Sequence, residues 1–212
     1  MTSPGPAPEF ARLHRRAFRL EILTTLWNVV EAVIAIASGA VAGSTALVSF
    51  GIDSLIEVSS AVVVLWRLFR AGPQASPEES EHADRRAHRL IGFTFFALAI
   101  YVTIEAGAAI FRRESPQPSP IGIALAIASL IVMPMLAHAK QQTGRRMGSK
   151  ALEADALETW LCAYLSAALL AGLALNAGLG WWWADPVAAL AMVPFMVWQG
   201  LRAIHEASEN EA

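Results

Sequence analysis

Asp53 and Glu57, in GIDSLIEVSS, are two carboxylates four residues apart within an apolar stretch of the chain. On a helix that spacing puts both on one face, where they repel each other unless a cation or a proton sits between them. A second four-spaced pair, Glu158 and Cys162, stands in LEADALETWLC, and Asp155 lies about one turn before it on roughly the same face. The chemistry these types offer is metal ligation. Three hard oxygen donors tolerate manganese or iron(II), while a thiolate favours zinc or another borderline-soft divalent ion. Asn28, Glu31 and Glu105 are further polar groups in apolar surroundings.

The elements that must position these groups follow from composition. Of 212 residues, 55% are hydrophobic and 16% charged, with a mean hydropathy of +0.46. A soluble domain carries about 25% charged residues. The apolar excess is too large for one soluble core of this length, whose surface polar side chains would have to cover, and it excludes disorder. The net charge of −2, with a pI near 6.2, supplies no basic field for nucleic acid. The single cysteine, Cys162, excludes an internal disulfide and any zinc site built from two thiolates of this chain. With no nucleophile and base pairing and no glycine-rich phosphate loop, neither an enzyme nor a resident cofactor is expected.

Six apolar blocks, at about 18–38, 45–67, 89–111, 121–139, 154–176 and 184–202, are each near the length that crosses a hydrocarbon core as helix. They must be helices, because a backbone facing lipid needs its hydrogen bonds satisfied internally. The expectation is an all-α membrane protein, a bundle of six transmembrane helices. A tail at 1–17 precedes it, without the apolar core and cleavage site of a secretory signal, and a short tail at 203–212 follows. PQASPEESEHADRR reads as a solvated loop, and Lys140 to Lys150 as a polar connector. All but Arg112 and Arg113 of the 16 basic residues fall on one side of these spans, which places both termini in the cytoplasm. Trp181, Trp182 and Trp183 then suit the outer interface, and Trp66 and Trp198 the inner one. Trp27 and Trp160 fit neither belt.

An ionisable group inside a membrane is costly and faces a bundle interior or a wet cavity, so each is a functional candidate. The second block runs outside to inside and the fifth runs the reverse. Asp53 is therefore expected level with Cys162, and Glu57 with Glu158, giving four ligands at one depth. Asp185 before Pro186 reads as a helix start, since aspartate caps the amino end and proline suits the first turn.

Two four-spaced ligand pairs on helices two and five, with six spans and both termini inside, resemble the transmembrane domain of the cation diffusion facilitator family. GSTALVSFGIDSLIEVSS is similar to that family's second-helix signature, with Asp53 and Glu57 at its two ligand positions. LEADALETWLCAYLS is similar to the fifth, with Glu158 where zinc members usually have histidine and Cys162 where they usually have aspartate. WADPVAAL resembles the opening of the sixth helix, and Asn28 with Glu31 the polar pair of the first. The resemblance spans about 18–202. Two departures accompany it: the fifth-helix histidine is missing, and with only a short tail expected after the sixth span, the cytosolic metal-binding domain that members commonly carry is not expected in this chain.

The resemblance implies a divalent cation transporter, zinc first and manganese or iron(II) next, that works by alternating access in exchange for protons, in a homodimer. The implied metal site is Asp53, Glu57, Glu158 and Cys162. Metal ligands must lose protons to bind, so loading a cation expels protons; with histidine absent, Glu57, Glu158 and the Cys162 thiol become the proton carriers. Asp155 would attract the cation on its approach, and Asn28, Glu31 and Glu105 would support the site or the packing. Its partners are divalent ions, protons and lipid, and its place is the inner membrane if the source is bacterial. Two rival readings stand beside this one: a proton-coupled exporter of organic cations built on Glu31 or Glu105, and a metal sensor or scaffold that does not transport.

Overall fold

The computed structural model describes residues 7–70, 77–147 and 150–209. They form six α-helices: α1 (Ala7–Ala42), α2 (Thr45–Arg70), α3 (Pro77–Arg112), α4 (Pro120–Met147), α5 (Lys150–Leu179) and α6 (Ala184–Glu209). Five stretches within them, Arg12–Ala42, Gly92–Arg112, Pro120–Met147, Asp155–Leu179 and Ala184–His205, are long and apolar enough to cross a membrane. Side chains of α2 are described only as far as Ser59, so Trp66 lies outside the described residues. The expected six-helix membrane bundle is the architecture found.

Two of the connections are short because the helix ends carry the residues that turn the chain. Gly43, in the left-handed region at φ 67°, ends α1, and the Ser44 amide then bonds back to the Gly39 carbonyl at 3.0 Å. Gly180, also at φ 67°, does the same for α5 through its amide and the Asn176 carbonyl, 3.0 Å apart. A residue with a Cβ is penalised in that conformation. Ser44 and Ser119 then start α2 and α4, their hydroxyl oxygens accepting from the amides of Leu47 and Gly122, each at 3.1 Å.

Two expected connectors are helical. The segment read as a solvated loop is the first part of α3 from Pro77 onward, and proline suits the first helical position. Likewise α4 runs on to Met147, with Lys140, Thr143 and Gly144 buried against neighbouring helices. Polarity marked these stretches as non-spanning, but helical spacing continued through them. The tail expected at 1–17 is likewise helical from Ala7.

The bundle pairs α3 with α6, α4 with α5 and α1 with α2; α4 also packs on α1, α6 on α5, and α2 touches α3, α5 and α6. Leu47, Phe50, Val102, Leu165, Leu169, Met192 and Met196 fill its centre. Backbones come close where side chains vanish: a Cβ on Gly51 would lie 2.9 Å from the Ile36 amide nitrogen, and one on Gly172 would lie 2.5 Å from the Ala188 Cβ. Outward, Leu26, Val33, Phe93, Ile100, Ile104, Ile131, Met135 and Leu201 are exposed. That distribution suits a protein whose surroundings are themselves apolar.

Candidate functional site

α2 and α5 bring Glu57 and Cys162 into direct contact, the thiol donating to Oε1 of the carboxylate. The other oxygen, Oε2, accepts from Asn28 Nδ2 of α1 at 2.7 Å. One helical turn earlier on α2, Asp53 is 2% exposed, and its Oδ1 has no hydrogen-bond partner among the described residues. The register differs from the expected one. Cys162 meets Glu57, about one turn further along α2 than Asp53, and Glu158 turns to α6, where its Oε1 lies 3.4 Å from Arg202 Nη1. Depth inferred from span edges is too coarse for this, because the register is set by which side chains interlock. Among the described residues, no three Asp, Glu, Cys or His side chains converge closely enough to hold a metal ion.

A second cluster backs the first. Glu31 of α1 is fully buried and accepts from Trp27 Nε1 at 2.5 Å, from the Ser129 hydroxyl of α4, and from the Ser54 hydroxyl of α2 at 3.4 Å. Trp27 packs against Met133, Cys162 and Ala163. Its place, which no interfacial belt explains, is thereby accounted for: an indole N–H supplies a donor to a buried carboxylate while the side chain packs on the small cluster that contains Cys162. Trp160, by contrast, lies on the exposed face of α5.

Three residues singled out from sequence stand elsewhere. Asp155, expected to attract the cation on its approach, is ion-paired: Lys140 Nζ of α4 sits 2.7 Å from its Oδ2 and 3.0 Å from Glu21 Oε2 of α1. The physical reason is that burying an ammonium requires paired carboxylates, and α1 and α5 supply them. Glu105 is on the exposed face of α3 and is not brought to the interior cluster. Asp185 caps, but chiefly for another helix: it accepts from the Ser44 hydroxyl and from the Ala46 amide, the latter at 3.3 Å, and so joins the starts of α2 and α6.

Sequence reasoning missed Lys140, Glu21, Ser54, Ser129 and Arg202. Of these, Lys140 alone carried a signal, as a lysine at the edge of an apolar block with helical spacing on both sides of it. The serines and Glu21 are ordinary residues until the partner helices are placed.

Membrane-length helices that enclose carboxylates, an amide and a thiol define a multi-pass membrane protein with an acidic interior. Residues 22–210 match the cation efflux transmembrane domain, and the chain belongs to that family of transporters. An uncharacterized transporter of Synechocystis sp. is 31% identical over 176 residues, 79% of this chain and 55% of its own length. The cation-efflux pump FieF of Serratia proteamaculans is 24% identical over 207 residues, 96% of this chain and 67% of the pump. An uncharacterized transporter of Methanocaldococcus jannaschii is 29% identical over 175 residues, 80% of this chain and 60% of the relative. The chain thus spans little more than half to two thirds of the length of the relatives it matches.

Proposed function

We propose that this chain moves a divalent metal cation, zinc by preference, across the membrane by alternating access in exchange for protons, with Asp53, Glu57, Glu158 and Cys162 as the metal-binding residues. The observation that carries this reading is the meeting of Glu57 and Cys162 from α2 and α5 beside a buried Asp53 oxygen that has no donor among the described residues. A carboxylate and a thiol in contact share a proton or, once deprotonated, a cation. Glu158 reaches the site by leaving Arg202, so that cargo and arginine compete for one carboxylate. Manganese or iron(II) fits the three oxygens less selectively.

The basic residues favour an orientation with both termini in the cytoplasm, hence export from it, across the inner membrane in a bacterial source. A homodimer is the assembly we favour, by analogy with the family. The rival organic-cation reading draws no support from Glu105, which is exposed, or from Glu31, whose oxygens are occupied by three donors.

Uptake of zinc, manganese, iron(II) and cadmium into inside-out proteoliposomes under an imposed proton gradient tests the proposal. Gradient-driven zinc uptake is expected in wild type and lost in Asp53→Ala, while Cys162→Ser shifts preference from zinc and cadmium toward manganese. Absence of uptake of every metal, in folded and oriented protein, would sink it.

A further inference from the structure

We propose that Asn28 of α1 is itself a ligand of the transported cation, its side-chain carbonyl oxygen adding a neutral hard donor to the groups of α2 and α5. This rests on the metal-cation reading above and extends the site from two helices to three.

Asn28 is 4% exposed, and its amide nitrogen donates to Glu57 Oε2 at 2.7 Å. A carboxylate only accepts, so this contact fixes which way the amide faces and leaves the oxygen, Oδ1, on its other arm. That oxygen has no hydrogen-bond partner among the described residues, and neither has Asp53 Oδ1. Buried acceptors are normally matched with donors, and two orphans in one protein interior need an explanation.

The donors that stand closest to them along the chain are already committed. Trp27, beside Asn28, gives its N–H to Glu31, and Ser129 gives its hydroxyl to the same carboxylate. Ser54, beside Asp53, is bonded to the Phe50 carbonyl at 3.1 Å and to Glu31 at 3.4 Å. Glu57 is held by Asn28 on one oxygen and by Cys162 on the other. What remains are two buried oxygen acceptors, and a cation is a species that satisfies acceptors without supplying more of them.

The acidic and thiol groups do not meet this need by themselves, since no three Asp, Glu, Cys or His side chains converge among the described residues. Glu158 has to leave Arg202 to join an ion held at the Glu57–Cys162 pair, whereas Asn28, already bonded to Glu57, is a donor in place. A neutral oxygen also raises the coordination number without adding to the repulsion among three carboxylates and a thiolate. Its effect depends on the metal. Zinc is content with four ligands, whereas manganese prefers more oxygens, so Asn28 broadens the site toward the harder ion.

The test uses the full chain purified in detergent and measures dissociation constants for Mn2+ and Zn2+ in wild type, Asn28→Leu and Asn28→Asp, with Co2+ absorption as a reporter of coordination number. Asn28→Leu is expected to weaken Mn2+ on the order of tenfold while Zn2+ changes far less, and to intensify the Co2+ d–d bands as the ion drops to four ligands. Asn28→Asp keeps an oxygen and is expected to keep Mn2+ binding. Equal losses for both metals with an unchanged Co2+ spectrum would mean that Asn28 only positions Glu57, and would overturn the proposal. So would an Asn28→Asp protein that is folded and behaves like Asn28→Leu. Wild-type protein that binds no divalent metal would overturn the metal reading itself, a result distinct from either.

Discussion

Replacing Lys140 by methionine removes a positive charge from a position where two carboxylates depend on it. The ammonium is 1% exposed and lies 3.0 Å from Glu21 and 2.7 Å from Asp155, so it ties α4 to α1 and α5. Breaking a buried ion pair by deleting one partner costs about 3–5 kcal/mol, because the surviving charge is left uncompensated. Here the survivors keep some access to solvent, Glu21 at 16% and Asp155 at 32% side-chain exposure, and hydration returns part of that cost. We expect a loss of about 2–3 kcal/mol, equivalent to roughly a 30- to 140-fold rise in the fraction of open molecules. Cys162 is buried and is the one cysteine of the chain, so its rate of labelling by a maleimide in detergent micelles reads that fraction directly. Lys140→Met should label faster by this factor. Adding Glu21→Gln and Asp155→Asn, which removes the orphaned charges, should bring the rate back to within a few-fold of wild type. An unchanged rate in Lys140→Met, or a triple variant as fast as the single one, would refute the assignment of this triad as a paired and buried network.

Two further substitutions probe the frame that holds the site. Gly51→Ala drives a Cβ to 2.9 Å from the Ile36 backbone nitrogen, an atom that moves only with the whole of α1. It should cost about 1–3 kcal/mol and lower the thermal midpoint in detergent; an unchanged midpoint would show that α1 and α2 are free to separate there. Asp185→Ala deletes the acceptor shared by Ser44 and the Ala46 amide and should cost about 1–3 kcal/mol. Asp185→Asn keeps an acceptor oxygen and should cost less; equal midpoints for the two variants would argue against a capping role.

Much of the architecture was legible because membrane insertion acts on composition: long apolar blocks must become helices, and buried carboxylates at four-residue spacing must share a face. The limits of those blocks were less legible. Hydropathy stops where charge begins, whereas the helices continue, as α3 does from Pro77 and α4 does to Met147. The same distinction runs through the site. Asp53, Glu57, Glu158 and Cys162 were visible as costly residues in the wrong solvent, but their mutual register was not.

Local composition and periodicity along single helices carry the class of fold, the family signature and the chemical types gathered in the interior. Which groups pair with which was set by the packing of helix on helix. It put Cys162 against Glu57, turned Glu158 to Arg202, closed Lys140 between Glu21 and Asp155, and left the Asn28 oxygen without a donor among the described residues. The reason is physical: each of these contacts joins different helices, and the rotation and axial shift of one helix on another depend on the side chains of both.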